Sequence, residues 1–228
     1  MRILLTNDDG IDAPGLAALE RACAGLGEVF VVAPAEQQSN MGHRVSAAIE
    51  VAETGPGRWS VAGTPADCSR IALTTLTGPV DWVLSGINRG GNLGADIYMS
   101  GTVAAAREAT LLGYRAAAFS QYVRRGAPLD WDVAAGRVRR VMGMLFEREL
   151  PPAVFWNVNL PHLDEGSAEP ELFECPVDFE PLHVGYRREG SRYVYVGDYH
   201  GRPRRAGSDV DHCFQGRIAI SAISLELR

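Results

Sequence analysis

Short apolar runs alternate with longer segments of helical period over the first 160 residues of this 228-residue chain. Such runs are typical of buried strands, and their alternation with helices predicts a parallel sheet covered on both faces. The predicted strands are 2–6, 29–32, 81–85, 116–119 and 154–158, and the predicted helices are 14–25, 64–76, 100–112 and 130–146. We therefore predict an α/β fold with a Rossmann-like, mostly parallel sheet.

Local signals refine two parts of this pattern. The turn Gly55-Pro56-Gly57 divides residues 45–61 and predicts a hairpin or short extended strands there. Thr64, Pro65 and Asp67 supply a hydroxyl cap, a proline at the first helical position and an acidic side chain at the third, which predicts that a helix begins at this point.

The character of the chain changes at about residue 161, where proline, charge and scattered aromatics replace the alternation. Residues 193–196 and 218–220 are predicted to be strands of a small antiparallel C-terminal extension. We interpret 1–160 as the catalytic core and 161–228 as an extension or oligomerisation arm whose final strand returns to the core. Its strand signals and aromatics have no obvious cover within the chain, which predicts a homodimer.

Charge and cysteine content limit the possible partners and compartment. A net charge of −6 and a pI near 5.4 argue against a surface for nucleic-acid polymers or anionic membranes. The sequence shows neither a signal peptide nor a transmembrane-length segment. The four cysteines lie far apart, which predicts free thiols in a reducing compartment: Cys23, Cys68, Cys175 and Cys213. We expect a soluble, cytoplasmic protein with no membrane partner.

Polar loops follow three of the predicted strands, where the carboxyl ends of a parallel sheet form a ligand crevice. The first contains Asp8 and Asp9. Adjacent carboxylates in a partly buried crevice repel each other unless a cation neutralises them, and all-oxygen ligands favour Mg²⁺ or Mn²⁺. Asn7-Asp8-Asp9-Gly10 is also an ordinary turn sequence, so this motif alone leaves both interpretations open.

The residues from Ser85 to Gly94 form a glycine-rich loop with two asparagines, Asn88 and Asn92. Glycines permit close backbone approach, and asparagine amides can bind a metal or a phosphate. A flexible surface loop is the alternative. Ser100-Gly101-Thr102 begins the helix that follows, and its free N–H groups, dipole and hydroxyls indicate an anion site, although an ordinary serine cap explains Ser100 equally well.

Several common enzyme classes lack their motifs here. The sequence has neither a Walker loop nor G-x-G-x-x-G after the first strand, which argues against an NTPase or a dinucleotide-binding enzyme. Asp8 and Asp9 are adjacent rather than spaced as Asp-x-Asp, which disfavours an aspartyl-phosphate mechanism. Ser39 and Ser100 lack the G-x-S-x-G elbow of serine hydrolases.

The ordered set of motifs resembles the SurE family, the stationary-phase survival proteins that act as 5'/3'-nucleotidases. The resemblance extends over nearly the whole chain. Its carriers are Ile3-Leu4-Leu5-Thr6-Asn7-Asp8-Asp9-Gly10, Ala13-Pro14-Gly15, Val32-Ala33-Pro34 leading to Ser39, Gly63-Thr64-Pro65-Ala66-Asp67-Cys68, Ser85-Gly86-Ile87-Asn88, Asn92-Leu93-Gly94, the segment 100–106, the segment 157–161, and Gly207-Ser208-Asp209.

The resemblance implies the roles of particular residues. One divalent ion, Mg²⁺ or Mn²⁺, is expected on Asp8, Asp9, Ser39 and Asn92, with Asp8, Asp9 and Asn92 also counted as catalytic. The substrate phosphate is expected near Asn7, Asn88, Ser100, Gly101 and Thr102. A Rossmann-like core and a C-terminal arm that forms a homodimer or a dimer of dimers are implied as well. The mechanism that fits is attack of metal-activated water on the phosphorus of nucleoside 5'- and 3'-monophosphates.

One departure from the family pattern, one residue of open role and two alternative functions accompany this hypothesis. Met99 stands before Ser100, and Tyr98 is displaced by one position from the family's Tyr-Ser-Gly-Thr. His43 is either a proton donor to the leaving group or a loop histidine without catalytic work. The alternative functions are a phosphometabolite-binding regulatory module without turnover and a metal-dependent glycosyltransferase, for which paired aspartates are the sole support.

Overall fold

A computed structural model describes residues 1–182 and 184–226. Its strands are β1 (Arg2–Thr6), β2 (Glu28–Pro34), β3 (Glu50–Gly55), β4 (Arg58–Ala62), β5 (Trp82–Arg89), β6 (Ala116–Gln121), β7 (Val154–Leu160), β8 (Leu172–Glu174), β9 (Tyr186–Glu189), β10 (Arg192–Tyr195) and β11 (Ile218–Ser224). Its helices are α1 (Pro14–Cys23), α2 (Pro65–Ile71), α3 (Gly101–Leu111), α4 (Trp131–Phe146) and α5 (Asp209–Phe214).

The main sheet has the strand order β3-β4-β2-β1-β5-β6-β7-β11-β8. Strands β4, β2, β1, β5, β6 and β7 are mutually parallel. This is the Rossmann order, in which the chain builds outward from β1 in one direction and then returns to β5 to build in the other. The Rossmann-like fold predicted from the sequence is confirmed, and its switch point lies between β1 and β5.

Helices cover both faces of the sheet because alternate strand residues point to opposite sides. Ile3 and Leu5 pack in the core beneath α1 and α4, whereas Leu4 packs in the core beneath α2 and α3. All three side chains are fully buried. The resulting two-sided core fixes the carboxyl ends of β1 and β5 in place.

Several local predictions are confirmed. Residues 50–62 form the β3–β4 hairpin. Thr64 and Asp67 form a reciprocal capping box at the start of α2, with Pro65 in the first turn. This helix continues into a π-type turn over Ala72–Leu76. The four cysteines are free thiols. Within the described residues, no helix is long and apolar enough to cross a membrane.

Strand β5 corrects one prediction, because it continues to Arg89 where the sequence indicated a loop from Ser85. The pairing with β6 shifts after Ser85 and resumes with Asn88 opposite Ser120. Gly86 permits this irregularity, since a Cβ there would lie 2.3 Å from the carbonyl oxygen of Phe119. The glycine-rich loop therefore begins at Gly90.

The C-terminal segment contributes strands to two different sheets. Strands β9 and β10 form a separate two-stranded antiparallel sheet, as expected of a small extension. Residues 218–220 belong to β11, which does not join that small sheet but returns to the main sheet, as we predicted for the final strand. Strand β11 pairs with β7 in antiparallel register and buries Ile218 and Ile220 in the core. Burial of this apolar strand satisfies the edge of β7, which would otherwise be exposed.

Candidate active site at the switch point

The loop after β1 places two aspartates at the switch point of the sheet. Asn7 shapes this loop: its Nδ2 donates to the carbonyl oxygen of Gly10 at 2.9 Å, and its Oδ1 accepts from the Gly10 N–H at 3.2 Å. Asn7 is buried, and these bonds commit its side chain to the turn. The side chain predicted to contact phosphate therefore braces the loop that presents Asp8 and Asp9.

Asp8 is a buried carboxylate, 5% exposed, that lies against the start of α3. The Thr102 hydroxyl donates to Asp8 Oδ1 at 2.5 Å. Burial raises the pKa of Asp8 from 3.8 to about 6, the Thr102 hydrogen bond opposes that rise, and the neighbouring Asp9 charge adds to it. A group with this pKa is ionised in about nine-tenths of molecules at pH 7.

Asp9 is less buried and has different neighbours. Its Oδ2 accepts from the Arg89 N–H at 3.3 Å, and its Oδ1 accepts from the Gln37 side-chain amide at 3.3 Å. Burial raises the pKa of Asp9 above its ordinary value despite these hydrogen bonds. Both adjacent carboxylates thus carry a desolvation cost that a cation would relieve.

Ser39 reaches the same site from the loop that follows β2. The Gln37 amide donates to Ser39 Oγ at 2.8 Å as well as to Asp9, so it links the hydroxyl to the carboxylate pair. The Gln38 N–H donates to the backbone carbonyl of Asp8 at 2.7 Å. These contacts hold the predicted ligand Ser39 beside the two aspartates.

Asn92 lies in the loop that follows β5, where several hydrogen bonds hold it in place. Its N–H donates to Asn159 Oδ1 at 2.8 Å, and its carbonyl oxygen accepts from the amides of Asn157 and Asn159 at 2.8 and 3.0 Å. Its own Nδ2 donates to Ser120 Oγ at 2.7 Å. With its nitrogen committed to Ser120, the side chain retains its Oδ1 as a donor of electron pairs to a cation.

The start of α3 comes very close to Asp8. A Cβ on Gly101 would lie 2.8 Å from the Asp8 Cβ, so only glycine permits this approach. Ser100 is the N-cap, and its Oγ accepts from the Val103 N–H at 3.0 Å. The Thr102 hydroxyl proton is thus committed to Asp8, whereas the Ser100 O–H, the helix dipole and the first-turn amides stay available to an anion.

Asn88, the remaining residue of the predicted phosphate site, turns toward its own loop. Its Nδ2 donates to the carbonyl oxygen of Gly90 at 2.8 Å. Like Asn7, it shapes the backbone in this conformation, while the second N–H of its amide can still donate to a phosphate.

The C-terminal segment supports residues 90–96, which we call the Asn92 loop. The sequence did not reveal this support. Asp209 is fully buried, and its Oδ2 accepts from the Gly94 N–H at 2.8 Å. Tyr199 donates to the Gly91 carbonyl at 3.1 Å. Arg202 donates to Asp96 Oδ2 at 2.7 Å and to the Leu93 carbonyl at 3.2 Å.

Sequence reasoning also missed the functions of Gln37, Ser120, Asn157 and Asn159. One signal was present for the last two: Asn157 ends the predicted strand 154–158 and Asn159 follows it at an alternate position, so both face one side if the strand continues and must find polar partners there. Nothing in the sequence indicates that the partner is Asn92, which lies 65 residues before Asn157.

The fold and site define a Rossmann-like α/β protein whose carboxylate pair lies at the switch point and faces a helix N-terminus. The family model described as Survival protein SurE matches residues 3–174. The chain belongs to the SurE family.

Individual relatives extend the match over the full length. A protein from Synechocystis sp. is 48% identical over 225 residues, covering 98% of this chain and 99% of that one. A protein named 5'-nucleotidase SurE from Geotalea uraniireducens is 45% identical over 239 residues, covering 100% and 94%. The crystal structure of the SurE protein from Aquifex aeolicus has a TM-score of 0.87 at 29% identity, covering 100% of this chain and 95% of that one.

Proposed function

We propose that this protein is a metal-dependent phosphohydrolase that removes phosphate from nucleoside 5'- and 3'-monophosphates. The observation that carries the proposal is the hydrogen bond from Thr102 to Asp8, because it joins a carboxylate pair to a helix N-terminus. A cation bound by the carboxylate pair and a phosphate bound at the helix N-terminus would therefore be neighbours. Relatives named 5'-nucleotidase SurE support the choice of a nucleotide as substrate.

The donor set suits a hard divalent cation. Asp8, Asp9, Ser39 and Asn92 would hold it through oxygen atoms, which Mg²⁺ and Mn²⁺ prefer. Among the described residues, no three His, Cys, Asp or Glu side chains lie together as a metal site, so the proposed site depends on the hydroxyl of Ser39 and the amide of Asn92 beside the two aspartates. Burial has already raised the pKa of both aspartates, so binding a cation would favour their ionised forms.

The chain's own residues would orient the reaction. The Thr102 hydroxyl fixes Asp8 in one orientation, and Asn157 and Asn159 fix Asn92. The amides and dipole at the start of α3 would hold the phosphate oxygens as negative charge develops on them. When bound, the divalent ion supplies Lewis acidity and activates the water that attacks phosphorus.

Phosphate release tests the proposal. We expect release from nucleoside 5'- and 3'-monophosphates with Mg²⁺ or Mn²⁺, loss of release on chelation, and recovery when the metal is restored. Release that resists exhaustive chelation would contradict the metal dependence. Nucleotide binding without release under any metal would instead indicate a regulatory module.

We further infer that the protein forms a homodimer through the β9–β10 hairpin. Apolar and aromatic side chains on this hairpin and its flanks are 48–65% exposed: Val184, Tyr186, Tyr193, Tyr195 and Val196. Exposure of several large apolar side chains on one short segment is unfavourable in water and favours association. Its exposed strands also offer unpaired backbone groups to a second copy.

A further inference from the structure

The segment that carries Ser39 has no regular secondary structure. Residues 35–49, which we call the Ser39 loop, run from the end of β2 to the start of β3. A loop of this length lacks the internal hydrogen bonds that would fix a side chain in place. The position of Ser39 therefore depends on contacts between the loop and the rest of the protein.

Backbone contacts attach the loop along its length. The Gly42 N–H donates to the Met99 carbonyl at 3.1 Å. The Thr64 hydroxyl donates to the Arg44 carbonyl at 2.6 Å. The Ser46 N–H donates to Asp67 at 2.8 Å. The loop thus spans from the aspartate pair to the beginning of α2 and lies against the residues that precede α3.

One side-chain contact attaches the middle of the loop to α3 itself. His43 Nε2 lies 2.7 Å from Glu108 Oε2, and the Arg70 Nε donates to Glu108 Oε1 at 2.7 Å. Glu108 is 1% exposed. A carboxylate accepts hydrogen bonds, so with Arg70 donating to one oxygen we assign His43 Nε2 as the donor to the other.

This geometry separates His43 from the phosphate end of α3. Glu108 lies seven residues after Gly101, a distance of about 10 Å along the helix axis. The contact that His43 Nε2 makes is therefore with a residue in the body of α3 and not with its first-turn amides.

The two oxygens of the buried Glu108 carboxylate have different partners. Arg70 lies on α2, so its ion pair with Glu108 already joins the two helices and compensates the buried charge. The second oxygen of Glu108 contacts His43 of the Ser39 loop. The contact with His43 is a tether that restricts the motion of a loop that has no regular structure of its own.

We propose that His43 and Glu108 are positioning residues that hold the Ser39 loop over the metal site. This inference rests on the proposed function, since it assigns Ser39 to the cation. The tether keeps Ser39 and Gln37 beside Asp9, so the loop need not be ordered when the cation binds. His43 acts through Ser39 and does not exchange a proton with substrate.

The test compares three variants of the full-length protein. His43→Ala removes the tether. His43→Gln retains an N–H donor at nearly the position of Nε2. Arg70→Gln is the matched control, since it removes the other partner of the same carboxylate without touching the loop. Manganese affinity is measured directly by electron paramagnetic resonance, and kcat and KM are measured at saturating manganese.

We expect His43→Ala to weaken manganese binding about tenfold or more, as for loss of a hydrogen bond to a charged group. His43→Gln should restore most of that affinity, and Arg70→Gln should lower the melting temperature while leaving manganese affinity unchanged. At saturating manganese, kcat of the His43 variants should approach that of the parent.

Unchanged manganese affinity in His43→Ala would overturn the inference while leaving the proposed function intact. Equal loss of kcat in His43→Ala and His43→Gln at saturating manganese would also overturn it, because it would identify His43 as a proton donor. Manganese binding that follows the predicted order in a protein without turnover would support the tether and contradict the phosphohydrolase. A parent that binds no manganese would overturn both.

Discussion

Replacing Asp8 with asparagine removes a buried charge while keeping the shape of the side chain. The Thr102 hydroxyl can still donate to the amide oxygen, so the contact with α3 survives. Burial raises the pKa of Asp8 from 3.8 to about 6. That difference corresponds to about 3 kcal/mol of unfavourable free energy for the ionised form in the folded, metal-free protein.

We therefore expect Asp8→Asn to stabilise the metal-free protein at pH 7 by up to about 3 kcal/mol, less any cost of the new buried N–H group. For a chain of this size, that is a rise in melting temperature of up to about 6 to 12 °C. The exposed Asp12 provides a matched control in the same loop, and Asp12→Asn should leave stability unchanged.

The stability difference should depend on pH in a defined direction. Below 3.8 the Asp8 carboxyl is neutral in both the folded and the unfolded chain, so parent and variant should be about equally stable. As the pH rises from 3.8 toward about 6, the unfolded chain ionises first and the parent loses stability relative to the variant. Above about 6 the difference should be constant.

Metal should reverse the order of stability. Manganese at about a hundredfold excess over its dissociation constant should stabilise the parent by about 2.7 kcal/mol and leave Asp8→Asn unaffected. Turnover of the variant should be lost. Urea unfolding with chelator or manganese, at several pH values, measures each quantity. A variant that is less stable than the parent at pH 7 in chelator, or that binds manganese like the parent, would refute the reasoning.

Three other variants have definite expected outcomes. Thr102→Val removes a hydrogen bond that lowers the pKa of Asp8, so the acidic limb of the kcat/KM profile should move to higher pH; an unmoved limb would separate Asp8 from catalysis. Arg202→Met removes two contacts to the Asn92 loop and should lower kcat/KM about tenfold or more with an unchanged circular dichroism spectrum. Combined Tyr193→Ser and Tyr195→Ser should convert a dimer to monomers by light scattering, and a monomeric parent at micromolar concentration would contradict the dimer proposal.

The core of the fold could be predicted because its signals are local. Thr64, Pro65 and Asp67 specify the start of α2 through bonds that span three residues. In apolar runs such as Ile3-Leu4-Leu5, successive side chains point to opposite faces of a strand, so both faces must be buried. Layers of helices on each side bury them, and the alternation of such runs with helices therefore predicts the Rossmann-like sheet.

Part of the candidate site could be predicted for a similar reason. Asp8 follows a predicted strand and Thr102 begins a predicted helix, and the rule that ligand sites form at the carboxyl edge brings them together. The structure places them in direct contact. The ligand roles of Asp8, Asp9, Ser39 and Asn92 stay predictions.

Only the tertiary structure decided which residues support that site. Asn159 binds Asn92 across 67 residues, Asp209 binds Gly94 across 115, and Glu108 binds His43 across 65. The register that continues β5 to Arg89 and places β11 beside β7 is likewise non-local. A hydrogen bond of this kind forms only after the whole sheet has brought both partners together. The short-range periodicity and capping signals of the sequence do not indicate which distant residues become partners. That pairing depends on which of many possible strand neighbours buries the most apolar surface.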